Sequence, residues 1–153
     1  MSFYDASLSQ NQLPYNSPLD QTGPVRSSIA NPTPLCLDDW HAGTGNANIV
    51  DIYTCNNGTA QQWTMTKHFT AEFAPAPGMC LDAAAGGTAN GTKIILWPCT
   101  GYADQVWHLE SDGQLWNPVS GRCLDDPGST TAIGTQLQLY DCNFSNAQNW
   151  IAP

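Results

Sequence analysis

A motif built from cysteine, aspartate and tryptophan occurs three times along the chain at nearly constant spacing. Each copy opens with Cys-Leu-Asp, has a second cysteine 19 residues after the first, and ends in Gln-x-Trp, with its tryptophan 27 residues after the first cysteine. The copies begin at Cys36, Cys80 and Cys123. Because a fixed period of this length marks a repeated structural unit, we predict three similar units within one domain.

The cysteines are expected to form one disulfide in each unit. Six cysteines allow 15 pairings, and the threefold pattern selects Cys36–Cys55, Cys80–Cys99 and Cys123–Cys142. No pair has the close spacing of a zinc site, and the three histidines do not recur with the repeat, so we predict no metal site and no cofactor. Disulfides persist in oxidising compartments, so we expect a secreted, extracellular protein.

Short strands and no helix are predicted. In residues 136–140 leucine alternates with polar or aromatic residues, which is the period of a half-buried strand. The same register buries Val50 and Ile52 in the first unit and Ile94 and Leu96 in the second. It also predicts that the aromatic residue two positions before each second cysteine lies on the outer face. These aromatics are Tyr53, Trp97 and Tyr140.

The connections between units predict a closed arrangement of strands. Residues 67–73 and 109–118 are each expected to hold the last strand of one unit and the first of the next, with a hairpin turn at Asp112-Gly113. The third unit lacks a strand after Trp150, and residues 23–30 can supply it. Four strands in each of three units give twelve, and their closure into a pseudo-threefold barrel removes exposed sheet edges.

The balance of charge excludes two classes of partner. The chain has 13 acidic residues against 4 Lys and Arg, a formal net charge of −9 at pH 7. Nucleic acid and anionic membranes both require a basic surface, so we expect neither. No apolar run approaches membrane-spanning length, and residues 1–22 lack the basic start and apolar core of a signal peptide. We expect a monomer that is either an excised fragment or a mature form, with its export signal absent from this sequence.

Three units of the form Cys-Leu-Asp … aromatic-x-Cys … Gln-x-Trp resemble the ricin B-chain type of lectin, that is, the R-type lectins and carbohydrate-binding module family 13. The resemblance covers residues 23–153 and implies an all-β, β-trefoil fold with repeats at about 23–66, 67–110 and 111–153. Residues 1–22 then form an N-terminal linker or extension. In this family the Gln-x-Trp motif is structural, which implies that Trp63, Trp107 and Trp150 lie in the shared core.

The resemblance also implies which residues contact sugar. The family's site uses the aspartate of Cys-Leu-Asp, the aromatic before the second cysteine, and polar groups after that cysteine. A pyranose ring has an apolar face that stacks on an exposed aromatic, and its hydroxyls donate to a carboxylate. Carried over to matching positions, the candidates are Asp38, Tyr53, Asn56 and Gln61 in repeat one, Asp82, Trp97, Asp104 and Gln105 in repeat two, and Asp125, Gln138, Tyr140, Asn143 and Gln148 in repeat three.

The chain departs from the family pattern at two positions. Members often have asparagine directly before the glutamine of Gln-x-Trp, where this chain has Ala60, Asp104 and Ala147. Ricin-like sites favour glutamine two residues before the aromatic, and Gln138 matches, whereas Asp51 and Ile95 stand in the other repeats. Repeats two and three match best on these criteria, and we predict two or three working sites.

The recurring residues also have structural interpretations. An aspartate after Cys-Leu can cap its own turn, a strand aromatic can be an ordinary surface residue, and a buried glutamine amide must find partners. Catalysis is not expected, because glycoside hydrolysis needs two facing carboxylates and the recurring aspartates occur once per repeat. Asp39 and Asp126, the sequence neighbours of two of them, are predicted to be solvated.

The predicted function is non-catalytic binding of mono-, oligo- and polysaccharides. The resemblance implies galactose-containing glycans, or xylan- and arabinan-type hemicellulose, as ligands. It also implies a linked or parent glycoside hydrolase, which the domain would hold near its substrate. The alternative is a trefoil-type protease inhibitor or another protein-binding domain, which would use one protruding loop instead of repeated pockets.

Overall fold

Short antiparallel strands make up the regular structure, as the alternating pattern predicts. The computed structural model describes residues 20–30 and 32–153, so the predicted linker before residue 20 and the start of the predicted turn at 31–34 lie outside them. The thirteen described strands are β1 (Gln21–Gly23), β2 (Arg26–Ala30), β3 (Pro34–Asp39), β4 (Asn48–Thr54), β5 (Trp63–Met65), β6 (Ala71–Phe73), β7 (Met79–Ala83), β8 (Ile94–Pro98), β9 (His108–Leu109), β10 (Leu115–Asn117), β11 (Arg122–Asp125), β12 (Gln138–Asp141) and β13 (Trp150–Ile151).

Twelve of these strands form three four-stranded repeats, β2–β5, β6–β9 and β10–β13. The last strand of each repeat pairs antiparallel with the first strand of the next, in the pairs β5–β6, β9–β10 and β13–β2. The pair β13–β2 joins the ends of the chain, so the predicted closure and the all-β, β-trefoil fold are confirmed. The remaining strand, β1, adds to the edge of β5. Residues 20–22, assigned by sequence to the extension, therefore contact the barrel.

The third strands of the repeats meet around the pseudo-threefold axis. β4 pairs with β8 at Asn48↔Leu96, and single bridges connect β12 to both neighbours at Asp51↔Gln136 and Lys93↔Gln138. Because side chains alternate along each strand, the two aliphatic residues predicted to be buried in each third strand point inward and the aromatics outward. Val50, Ile52, Ile94, Leu96, Leu137 and Leu139 are fully buried, whereas Tyr53, Trp97 and Tyr140 are 37–41% exposed.

The tryptophans of the Gln-x-Trp motifs fill the core, as the resemblance implies. Trp63, Trp107 and Trp150 are at most 2% exposed. Each indole Nε1 donates to a backbone carbonyl of the Cys-Leu-Asp strand in its own repeat, at distances of 3.0–3.2 Å. The bond satisfies the polar end of a side chain that otherwise buries a large apolar surface. The accepting carbonyls belong to Leu37, Leu81 and Leu124.

The disulfides follow the predicted pairing. Cys36–Cys55, Cys80–Cys99 and Cys123–Cys142 are bonded, with Cα atoms 5.1, 5.1 and 5.2 Å apart. Each connects the second strand of a repeat to the end of its third strand. Closing a loop of about 20 residues is worth on the order of 3 kcal/mol through the entropy of the unfolded chain.

Some local expectations are wrong. The first strand starts at Arg26 rather than Gly23, which ends β1; Pro24, which has no backbone N–H, lies between them. The fourth strand of repeat one is β5, before the predicted residues 67–73. The Asp112-Gly113 hairpin is confirmed, with Gly113 N donating to the Glu110 carbonyl at 2.9 Å and Gly113 at φ 93°.

Asp39 and Asp126 are not solvated but fully buried. They follow the outward-facing aspartates by one residue, so alternation points them into the protein. Burial raises the pKa of each carboxyl to about 7. Asp39 accepts a hydrogen bond from Asn48 Nδ2 at 2.9 Å, whereas neither carboxyl oxygen of Asp126 has a hydrogen-bond partner among the described residues. In repeat two, Ala83 occupies this inward position.

Among the described residues, helical structure is limited to single 3₁₀ turns, and no helix is long and apolar enough to span a bilayer. Six of these turns recur in two sets of three. One set follows the Cys-Leu-Asp strand of each repeat, and the other carries the glutamine of Gln-x-Trp. The first set comprises Trp40–Ala42, Ala84–Gly86 and Pro127–Ser129, and the second Thr59–Gln61, Ala103–Gln105 and Asn146–Gln148.

Candidate sugar-binding sites

Each repeat has a shallow pocket on its outer face, lined by the aspartate of Cys-Leu-Asp and by the exposed aromatic of the third strand. Cross-strand register explains the pairing, because Asp82 lies opposite Ile95, two residues before Trp97 on the same face of β8. The pockets have volumes of about 300, 750 and 480 Å³ in repeats one, two and three, here called sites one, two and three.

The glutamine of each Gln-x-Trp motif holds the aspartate from behind. Nε2 donates to the aspartate carboxylate at 2.9 Å in site one, 2.7 Å in site two and 3.0 Å in site three. The same nitrogen donates at 2.8–2.9 Å to the carbonyl of the residue before the second cysteine. The structure thus places Gln61, Gln105 and Gln148 fully buried behind the pockets, where their amide nitrogens are occupied by protein acceptors.

The same glutamines shape the loop after the second cysteine. Each Oε1 accepts the backbone N–H of the residue following that cysteine, which is Asn56, Thr100 or Asn143. The side-chain oxygen of this residue in turn accepts the backbone N–H two positions on, at 2.8–3.1 Å. This local turn uses the side-chain oxygens of Asn56 and Asn143, so that within the described chain their amide nitrogens keep the capacity to donate at the pocket wall.

The residue opposite each aspartate differs between the repeats. In site three Gln138 Nε2 donates to Asp125 at 2.8 Å, so this carboxylate receives two amides. In site two the opposite residue is Ile95, and Asp82 Oδ1 accepts no hydrogen bond from the described residues. In site one the opposite residue is another carboxyl, Asp51.

Asp51 and Asp38 form a carboxyl pair under site one. Both oxygens of Asp51 are buried and have no amide or hydroxyl partner in the described chain. Burial, followed by the charge of Asp38 and a hydrogen bond with it, raises the pKa of Asp51 to about 8. Burial also raises the pKa of Asp38, against the opposing hydrogen bond from Gln61. A protonated Asp51 therefore donates to Asp38 at neutral pH, as the amide of Gln138 does in site three.

Site two has a second carboxyl of a different kind. Asp104 lies in the turn that carries Gln105, lines the pocket, and hydrogen-bonds with Asp82. Burial is the largest cause that raises the pKa of Asp82, to about 6, and the charge of Asp104 adds to it. The structure thus places Asp104, a predicted site residue, beside Asp82.

The turn after each aspartate forms the opposite wall. Its middle residue has left-handed backbone dihedrals in all three repeats, at His41 (φ 57°), Ala85 (φ 56°) and Gly128 (φ 68°). Glycine adopts this conformation without the steric cost that a Cβ imposes. Two repeats therefore keep a strained residue at the pocket rim, and in site one this residue presents an imidazole.

Sequence reasoning missed several pocket residues. Trp40 and His41 line site one, with the indole 39% exposed and its ring centroid 4.6 Å from that of His41. Tyr102, 72% exposed, and Val119, from the β10–β11 turn, line site two. These four residues occupy loop positions whose residue type does not recur between the repeats, so the repeat pattern did not predict them. The aromatic directly after Asp38-Asp39 was the one available sequence signal.

Neither a catalytic pair nor a metal site is apparent at these pockets in the described residues. The carboxyl pairs Asp38–Asp51 and Asp82–Asp104 are in direct contact, whereas a glycosidase places its two carboxyls at least about 5 Å apart. In the part of the chain that the structure describes, metal-ligating atoms cluster at Glu72 with Cys80 and Cys99. These two sulfurs are disulfide-bonded, and the thiolate is the form that binds metal.

The sequence of residues 25–150 matches the family model of the ricin-type β-trefoil lectin domain. The chain belongs to this family. The ricin-type lectin domain is a carbohydrate-binding, non-catalytic fold. Its disulfides are consistent with an extracellular location. The lectin family also accounts for the three repeated pockets, since its trefoil repeats the same strand arrangement around the barrel. No curated protein matches the chain in sequence.

Solved structures show the same fold. A designed threefold-symmetric protein, ThreeFoil, is 24% identical with a TM-score of 0.73, covering 84% of this chain and 95% of that one. The agglutinin from Abrus precatorius is 22% identical with a TM-score of 0.76, covering 88% and 49%. A non-toxic homologue of type II RIPs from Momordica charantia (bitter gourd), in complex with α-methyl-D-galactoside, is 26% identical with a TM-score of 0.73, covering 88% and 48%. The chain thus spans about half the length of these two plant proteins.

Proposed function

We propose that this protein binds carbohydrate without turning it over, through one shallow pocket per repeat. One arrangement, found in all three repeats, carries the proposal. A nearly buried aspartate accepts a hydrogen bond from a glutamine amide and lies beside an exposed aromatic ring. A pyranose stacks its apolar face on the aromatic while vicinal hydroxyls donate to the carboxylate. Asp38 with Tyr53, Asp82 with Trp97, and Asp125 with Tyr140 fill these roles.

The three sites are expected to differ in strength. Site two combines the largest of the three pockets, an exposed tryptophan and a carboxylate oxygen that receives no hydrogen bond from the described residues. Site three offers Gln138 and Asn143 as additional amides around Asp125. The smallest pocket is site one, where Asp51 needs its proton to support Asp38. We therefore rank site two first and site one last.

Galactose-containing glycans are the first candidate ligands. The Momordica charantia relative is described in complex with α-methyl-D-galactoside, and the family resemblance extends the candidates to xylan- and arabinan-type hemicellulose. A single shallow site binds weakly, with a Kd of about 0.1–1 mM. Several sites acting on one polysaccharide raise retention through a high effective concentration. A secreted, monomeric domain linked to a glycoside hydrolase would hold that enzyme on its substrate in this way.

A titration of ¹⁵N-labelled protein with galactose, lactose and xylo-oligosaccharides tests the proposal. Chemical-shift changes of the Trp97 indole and of backbone amides in Ala84–Gly86 report on site two, and Pro127–Ser129 on site three. We expect saturable, localised shifts that Asp82→Asn and Asp125→Asn each reduce at their own site alone. Asparagine keeps an oxygen for the glutamine amide, so the frame behind the pocket is retained.

The outcome separates a lectin from a protein-binding trefoil. Trp97→Ala should abolish sugar shifts at site two and leave the fold intact, since the side chain is partly exposed. A protease inhibitor acting through one protruding loop would bind its target regardless of Trp97 and Asp82. Absence of shifts with all three classes of sugar, in a folded protein, would contradict the proposed ligands.

A further inference from the structure

Site two has a charge arrangement that the other two sites lack. Asp104 adds a carboxyl to the pocket wall at the position where sites one and three have Ala60 and Ala147. Asp104 Oδ1 is buried and has no hydrogen-bond donor within the described chain. Asp82, only 3% exposed, receives one amide on Oδ2 and none on Oδ1. Two carboxyls thus face one pocket, and both can accept further hydrogen bonds.

No basic side chain offsets this charge. The residues that line the pocket include neither lysine, arginine nor histidine. In the part of the chain that the structure describes, neither Asp82 nor Asp104 has an ion-pair partner. Burial, followed by the charge of Asp104, raises the pKa of Asp82 to about 6, because the two carboxyls disfavour each other's ionisation where they are in contact. A cation placed between them removes that repulsion.

Two aromatic rings at the same pocket suit a cation as well. Trp97 is 37% exposed and Tyr102 is 72% exposed, and both line site two. The faces of tryptophan and tyrosine attract an ammonium group through the ring quadrupole. An ammonium carries three N–H donors and no acceptor, which matches a wall made of carboxylate oxygens.

We propose that site two selects an amino sugar with a free, protonated amine over the corresponding neutral sugar. The inference rests on the proposed carbohydrate binding: the pyranose ring stacks on Trp97 and its ammonium group lies between Asp82 and Asp104. A neutral sugar supplies hydroxyl donors to the same oxygens but leaves their charges uncompensated. A hydroxyl that donates to a carboxylate already makes a charge-assisted hydrogen bond, and the ammonium adds Coulomb attraction of about 1 kcal/mol at an open site, so we expect a Kd about fivefold lower for the amine.

The test compares D-galactosamine, D-galactose and N-acetyl-D-galactosamine on the full chain at pH 6.5. Kd is measured by NMR from the Trp97 indole and the Ala85 amide for site two, and from the Gly128 amide for site three. Galactosamine should bind site two about fivefold more tightly than galactose. Acetylation removes the charge and should remove the advantage. At site three, which has no counterpart of Asp104, the ratio of the two dissociation constants should lie near one.

Two variants isolate the second carboxyl. Asp104→Asn is nearly isosteric and removes the charge, and Asp104→Ala copies the residue of the other repeats. In both, the galactose-to-galactosamine ratio of Kd at site two should fall to about one. A ratio that survives both substitutions, or a ratio of one in the unchanged protein, would overturn the inference while leaving sugar binding in place.

Other results would count against the inference for different reasons. Shifts from galactosamine that spread over all three repeats without saturating would show general attraction to a chain of net charge −9, and would overturn selection by site two. Failure of every sugar to move the site-two signals, with the fold intact, would remove the proposed function at this pocket and the inference with it.

Discussion

The back and the front of the three pockets differ in how far they keep the threefold repeat. Behind each pocket lies a rear frame, formed by the glutamine and tryptophan of Gln-x-Trp, with the same hydrogen bonds in all repeats: glutamine to aspartate, and indole to the leucine carbonyl. At the front, the residue opposite the aspartate is Asp51, Ile95 or Gln138. The frame is symmetric and the front walls are not.

This difference indicates that folding and recognition place separate demands on the same repeat. The rear frame is fully buried and lies at the junction of the second, third and fourth strands, so each substitution there leaves a cavity or an unsatisfied polar group. The front walls are open to solvent at the aromatics and loop residues, where water can replace a lost partner, although Asp51 in site one is itself buried. Each repeat can therefore acquire its own ligand preference on a common scaffold.

The largest expected effect comes from removing one tryptophan of the rear frame. Trp107→Ala should lower the free energy of unfolding by about 3–5 kcal/mol, because it empties a fully buried site and leaves the Leu81 carbonyl without its donor. Trp97→Ala, at the front of the same repeat, should change it by less than about 1 kcal/mol. Urea unfolding monitored by fluorescence measures both. Similar losses for the two variants would show that front and rear are not separable.

A smaller loss is expected from the glutamine of the rear frame. Gln105→Leu keeps most of the volume but removes the donors to Asp82 and to the Pro98 carbonyl, and the acceptor for Thr100 N. Leaving buried polar groups unpaired should cost about 2–3 kcal/mol.

Gln138→Leu is the control at the front of site three, where one bond of a half-buried amide is lost. Its cost should be about 1 kcal/mol or less. Urea midpoints at equal protein concentration compare the two glutamines. If Gln138→Leu proved the more damaging, the symmetric bonds of the rear frame would not be what stabilises the repeat.

The rear frame and the recurring residues of the pockets were predictable from sequence, and the non-recurring loop residues of the front walls were not, for a physical reason. Cys36, Trp63 and their counterparts recur because every repeat needs the same buried contacts. Their spacing predicted the disulfides and, with strand alternation, the outward aromatics, whereas the resemblance to the lectin family implied the core tryptophans. Trp40 and Tyr102 reach the pockets from loops whose path depends on tertiary packing. The burial of Asp39 and Asp126 follows strand alternation rather than the usual preference of a carboxylate for water.

The shared proton of the Asp51–Asp38 pair in site one predicts a pH dependence that the Gln138–Asp125 pair of site three does not contribute. In the unfolded chain Asp51 ionises near its ordinary pKa of 3.8, whereas the folded protein keeps its proton to about pH 8. The folded state therefore binds more protons between these values, and the free energy of unfolding falls as pH rises through that range. One such group contributes a slope of up to about 1.4 kcal/mol per pH unit.

Asp51→Asn should remove this contribution, since its amide can donate to Asp38 at any pH. Asp39 and His41, the other titratable groups near Asp38, are unchanged in the variant. We expect a gain that grows from little at pH 4 to about 2–5 kcal/mol at pH 8, from thermal unfolding across that range. Gln138→Glu should do the reverse by placing a carboxyl opposite Asp125. Parallel pH profiles for Asp51→Asn and the unchanged protein would refute the shared proton.

The smallest effect concerns the left-handed residue at the pocket rims of sites two and three. Ala85 (φ 56°) and Gly128 (φ 68°) occupy the same position in their turns, and a Cβ added at Gly128 would meet no atom within 4 Å. The difference between them is therefore the conformational cost of a Cβ at positive φ, about 1 kcal/mol, partly offset by the greater freedom of glycine in the unfolded chain. Ala85→Gly should raise stability by about 0.5 kcal/mol, and Gly128→Ala should lower it by a similar amount. Chemical denaturation of the two reciprocal variants measures this. If both substitutions shifted stability in the same direction, backbone strain alone would not explain the difference between the two rims. The packing around Ala85 and Gly128 would then differ, and the asymmetry of the front walls would extend to these turns.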